Sequence, residues 1–235
     1  MKKGLVVIIL LSLALMASSC GPSDRIVLGA SDHTDVVGGV INNVDMIEIT
    51  SLMGITILTT PTVEELLNAA LDVEAISNDT KSSINIILDL LPEVEGWLAE
   101  IPDETWQAID EIMSHVEELE TVTNTTDFLQ EAIDSGQYDG YEWLPEALEF
   151  GIDLLEAGEN TIYNPTWYPY TAEPLLSFNA SRLMKEDLEG GIAGAIGGAL
   201  ADIAPVDEYS IKIGGVVAAV DSSIADLISQ LTGWW

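Results

Sequence analysis

The chain has 235 residues, of which 40 are Asp or Glu and seven are Lys or Arg, giving a formal net charge of −33, while 48% of its residues are apolar. A surface this acidic repels phosphate backbones, which excludes nucleic acid as a partner. The apolar fraction and its periodic recurrence exclude a disordered acidic tail and predict a folded core.

The chain opens with "MKKGLVVIILLSLALMASSC", in which Lys2 and Lys3 precede an uncharged apolar run and then small residues before Cys20. That order predicts an export signal over residues 1–19. The run is shorter than the about 20 residues a spanning helix needs. "ASSC" followed by Gly21 resembles the lipobox of bacterial lipoproteins, although Ala17 stands where that family prefers Leu. The resemblance implies cleavage before Cys20 and acylation of its thiol, hence a protein of the bacterial cell envelope, exported and held to a membrane by its N-terminal lipid. Cys20 is the only cysteine, so neither an intramolecular disulfide nor a cysteine-based zinc site can form. Residues 20–30 are expected to link the anchor to the fold.

Between turn-prone residues and prolines, the mature chain shows helical apolar spacing, predicting a helical domain over 31–157. "HTDVVGGVINNVDMI" sets Val37, Val40, Ile41, Val44 and Ile47 on one face. The next helix is expected to start with Thr60 as cap and Pro61 at the first helical position, aligning Val63, Leu66, Leu67, Ala70 and Leu71. "SSINIILDLL" forms a third, which Pro92 should end or kink. "DETWQAIDEIMSHVEELE" is the clearest amphipathic helix, with Trp106, Ile109, Ile112, Met113, Val116 and Leu119 in line. Two more are expected near 127–134 and 144–156. Only "ITILTT", residues 55–60, reads as a strand, and it has no evident mate.

Residues 158–178 contain "TIYNPTWYPYTAEP", read as an aromatic, proline-rich connector. Its Tyr163, Trp167, Tyr168 and Tyr170 are candidates for contact with a ligand or partner, since exposed rings offer rigid contact area. The terminal Trp234 and Trp235 suggest a further anchor or a lid.

Residues 179–235 are predicted to form a glycine-rich αα-hairpin, closing an all-α, multi-helix bundle. In "EGGIAGAIGGALADIAP" five glycines fall within nine positions. Five glycines in place of alanines cost a helix about 4 to 5 kcal/mol, and close backbone approach is the evident compensation. Gly190, Gly194 and Gly198 make one row; Gly214, Ala218 and Ser222 make a second, and Gly215, Ala219 and Ser223 a third. The pair resembles the helical pairs of small membrane-active bacteriocins and glycine-zipper envelope proteins, which implies an alternative action at a membrane. "DVVGGVINN" together with "KEDLEGGIAGAIGGALAD" is similar to an uncharacterised group of exported bacterial proteins. Those often carry a histidine where this chain has Ile41 or Asn42.

Chemistry is harder to find. At this acidity carboxylate pairs arise by composition alone and identify no acid–base catalyst. His33, between Asp32 and Asp35, suits a divalent cation on paper, and His115 sits beside Glu117 and Glu118; two distant histidines do not make a zinc site. Weak divalent cation binding by surface carboxylates is expected, with no EF-hand spacing. Phosphate-loop, nucleophile-elbow and metalloprotease motifs are absent. No catalytic residues, metal site or cofactor are expected. The composition resembles that of proteins adapted to high salt. The expected function is a lipid-anchored interaction or structural module with an envelope protein as partner.

Overall fold

The computed structural model describes residues 28–43, 61–164 and 179–232, and among these every regular element is helical. In chain order they are α1 (Ala30–Asn42), α2 (Val63–Leu71), α3 (Asn78–Leu90), a 3₁₀ turn (Leu91–Glu93), α4 (Val94–Ala99), α5 (Asp103–Val116), α6 (Val122–Asp134), α7 (Leu144–Gly158), α8 (Ala180–Leu200) and α9 (Asp207–Thr232). The expected strand at 55–60, Cys20, Trp167, Tyr168, Tyr170, Trp234 and Trp235 lie outside the described residues.

Local chemistry sets the helix starts. Thr62, not Thr60, caps α2: its Oγ1 accepts from the Glu65 N–H at 3.1 Å while Glu65 Oε2 accepts from the Thr62 N–H at 2.9 Å, a reciprocal box that satisfies two orphan donors. Pro61 therefore precedes the cap instead of following it. Ser77 and Thr121 cap α3 and α6 through their hydroxyls alone, accepting the Thr80 and Asn124 N–H, and Asn179 caps α8. Pro92 interrupts as anticipated, turning the chain through one 3₁₀ turn into the short α4. Past the end of α6, Gly136 takes φ +66°, the left-handed conformation that closes many helices.

One hydrophobic core joins residues from all nine of these helices. In α5, Ile109, Ile112, Met113 and Val116 are buried as the spacing predicts, whereas Trp106 is only half-buried. At the centre lies α8, which packs on α9, α7, α4 and α5. Residues 190–222 fix its register with α9: Gly190 faces Ala218 and Ser222, Gly194 faces Gly214 and Ala218, and Gly198 faces Ser210 and Gly214. Rising numbers on one helix meet falling numbers on the other, so the two run antiparallel, joined through residues 201–206. No helix among the described residues is long and apolar enough to cross a membrane.

Candidate functional site

Around α8 the glycines divide among three neighbours. A Cβ at Gly198 would lie 2.6 Å from the Ser210 carbonyl oxygen and 2.9 Å from Gly214 Cα, and one at Gly194 would collide with the Gly214 carbonyl, both on α9. Gly191 instead accommodates Leu154 of α7, and at Gly197 a Cβ would come within 2.8 Å of the Trp97 carbonyl oxygen in α4. The row of three expected from spacing thus explains only part of the glycine content. On α9, Gly214 lies against α8, Gly215 makes room for the Phe150 ring of α7, Ala218 meets Gly190 and Gly194, and Ala219 lies beside Gly191. Residues 190–203 and 214–227 share Gly, Gly, Ala, Ala and Asp at equal offsets. This repeat, offset by 24 residues, fits the observed contacts: exchanging the two copies turns the Gly194–Gly214 contact into Gly190–Ala218, and Gly198–Gly214 into Gly190–Ser222. The repeat is a sequence signal that spacing within each helix alone does not reveal.

Next to this contact sits a buried group of polar side chains assembled from four parts of the chain. His33 of α1, Asp187 of α8 and Ser223 of α9 are all 0% exposed, and Tyr163, just past α7, is 7% exposed. Tyr163 donates its hydroxyl to Asp187 Oδ2 at 2.8 Å, Ser223 Oγ donates to Asp187 Oδ1, and His33 Nε2 lies 3.3 Å from Asp187 Oδ2 and 3.1 Å from Ser223 Oγ. Ser223 Oγ also lies 2.7 Å from the Ala219 carbonyl oxygen.

The residue types are those of a nucleophilic relay, but the wiring differs. A relay requires the imidazole to hold the serine with one nitrogen and the carboxylate with the other. Here serine and aspartate share Nε2, while Nδ1 is buried without a partner among the described residues. The shared Asp187 carboxylate ties α1, α8, α9 and the end of α7 together.

These positions correct one expectation. Tyr163 is not an exposed contact residue: its ring packs on Gly158 and its hydroxyl is committed to Asp187. His33 and Asp32, adjacent in sequence, are used separately. The Asp32 carboxylate faces away, taking the Gly29 N–H at 2.9 Å and the Ser83 hydroxyl at 2.8 Å, which caps α1 and ties it to α3. Among the described residues no group of three acidic or histidine side chains is arranged to hold a metal. His115 stacks on Phe128 with ring centres 5.5 Å apart.

A surface cavity of about 390 Å³ lies between α5 and the first half of α8, lined by Met113, Glu117, Arg182, Lys185, Glu186 and Glu189 among others. Both of its cations are engaged. Arg182 pairs with Asp226 at 2.8 Å and donates to Ser229 at 3.2 Å, and Lys185 donates to the Glu117 carbonyl at 2.7 Å. Burial pushes the carboxyls of Glu186 and Glu189 up, with Asp226 and Glu189 adding to the first and Asp110 and Glu117 to the second. Burial raises Asp221 and Asp226 as well.

Raised carboxyls imply an unusual pH response. The folded protein binds protons at these sites more tightly than the unfolded chain, whose Asp and Glu titrate near about 4, so their ionisation opposes folding at neutral pH and ceases to as the pH falls through the raised values. The melting temperature should therefore rise as the pH is lowered from 7 through the raised values of these groups. A steady fall in melting temperature as the pH is lowered from 7 would show that carboxylates stabilised by ionisation outweigh them.

The chain matches no protein-family model, no curated protein and no solved structure.

Proposed function

We propose that the chain is an exported, lipid-anchored protein of the cell envelope that acts as an interaction or structural module rather than as a catalyst. The observation that carries the reading is the enclosure of α8. Its glycines are occupied by the backbones and side chains of α4, α7 and α9, so the segment with the strongest membrane-active resemblance is also the centre of the core. Inserting α8 and α9 into a bilayer would first strip them from α7 and α4 and bring Asp187, Asp221 and Asp226 into hydrocarbon, where each carboxylate costs several kcal/mol, on the order of 3 at the centre. A folded acidic body held beside the membrane by Cys20 requires none of this.

The anchor is tested by Cys20→Ser. One myristoyl-sized chain binds membranes only marginally, whereas two or more hold a protein stably. The substitution should abolish incorporation of labelled fatty acid and move the protein from the membrane pellet to the soluble fraction. Unchanged pelleting would overturn the lipoprotein reading.

A further inference from the structure

Nine asparagines occur in the chain, and three begin an Asn-x-Ser/Thr triplet whose middle residue is not proline: Asn78-Asp79-Thr80, Asn124-Thr125-Thr126 and Asn179-Ala180-Ser181. This is the acceptor pattern for N-linked glycosylation of exported chains. All three asparagines are exposed, and all three lie at the cap or in the first turn of a helix, α3, α6 and α8 respectively. At that position the backbone N–H groups have no partner within the helix, so each triplet begins at the less tightly bonded end of its element.

The fold already uses two of the triplets. Asn179 Oδ1 caps α8 by accepting the Arg182 N–H at 3.0 Å, and the Thr80 hydroxyl lies 2.8 Å from Ser77 Oγ, within the cap of α3. Asn124 differs. Its backbone N–H is held by Thr121 Oγ1 at 3.2 Å, but its carboxamide has no hydrogen bond among the described residues. The hydroxyl of Thr126 is buried without a partner among the described residues. A buried hydroxyl left unpaired destabilises a fold relative to a methyl group of the same shape, so folding gives no reason for threonine over valine at 126. Recognition of the extended triplet before folding does give one.

We infer that Asn124 is an acceptor for an N-linked saccharide, an inference that rests on the export reading above. The donor class is a saccharide linked through C1 to a polyprenyl phosphate or diphosphate. Asn124 Nδ2 forms the new bond to C1, the C1–O bond to the phosphate breaks with its electron pair leaving on the polyprenyl phosphate, and the Nδ2 proton passes to a base of the transferase. No redox change is involved.

The test is mass spectrometry of the protein purified from envelopes of a host that makes it, following the peptide over residues 121–131 and the N-terminal peptide together. The expected result is a saccharide mass on Asn124, lost in Asn124→Gln and in Thr126→Val and kept in Thr126→Ser, with Thr126→Val melting no lower than the parent. Unmodified Asn124 on a chain that begins at acylated Cys20 overturns this inference and leaves the export reading standing. Unmodified Asn124 on a chain that still carries residues 1–19 overturns both. A saccharide that survives Thr126→Val overturns the role assigned to the hydroxyl, and with it the inference.

Discussion

Leucine in place of Gly194 should unfold the protein at much lower denaturant than the parent, with a loss at or above about 3 kcal/mol, the upper end of ordinary overpacking. At this position even a Cβ collides with the Gly214 carbonyl and the Ala218 methyl, and a backbone carbonyl cannot move aside as a flexible side chain can. A loss of that size removes a large part of the about 5 to 15 kcal/mol that holds a domain of this kind together. Gly96 in α4 provides the control, since a Cβ there meets nothing within 4 Å. Gly96→Ala should stabilise by up to about 1 kcal/mol, the helix-propensity difference between the two residues. Urea melts that rank Gly194→Leu and Gly96→Ala as equally harmless would remove the contact from the account.

The second large effect is expected at Asp187. It accepts from Tyr163 and Ser223 and sits within reach of His33 Nε2, all of them buried. Asp187→Ala takes away their shared carboxylate; Ser223 keeps the Ala219 carbonyl at 2.7 Å, and at about 1 to 3 kcal/mol for each of the other two buried groups the total is at least about 2. Tyr163→Phe removes one donor together with its bond and should cost less, about 1.5 kcal/mol. Equal midpoints for Asp187→Ala and the parent would mean that the cluster contributes nothing to the register of α1 on α8 and α9.

The sequence carried the helices well and the cluster not at all. Apolar residues at i, i+3 and i+4 located α5 and α7, and Pro92 marked the break after α3, because these signals are local. The cap of α2 was misplaced by two residues: Thr60-Pro61 and Thr62 both offer a plausible start, and the deciding element is the carboxylate of Glu65, three residues after Thr62. The six residues of short α4 are too few to show a period. The row Gly190, Gly194, Gly198 was legible from spacing, yet Gly191 and Gly197 depend on Leu154 and Trp97, which only the tertiary arrangement brings near. His33 shows the limit most clearly. Its neighbours in sequence, Asp32 and Asp35, say nothing of its partners: its bond to Ser223 spans 190 residues and its other partner is on α8. Nothing in the composition of a chain with 40 carboxylates distinguishes Asp187, the one that ends up fully buried against a histidine, from the rest.

The central claim, that the glycine-rich helices are occupied within the folded body and not reserved for a bilayer, is tested most directly by dye release from liposomes. The protein from residue 20 onward, with Cys20→Ser to remove the anchor, is added to dye-loaded vesicles across neutral to mildly acidic pH and compared with its Gly194→Leu variant. The account predicts no release by the parent protein at any pH at which it remains folded, because α8 stays enclosed by α4, α7 and α9. Release by the folded parent, abolished by Gly194→Leu, would contradict it and assign the glycine row to the membrane.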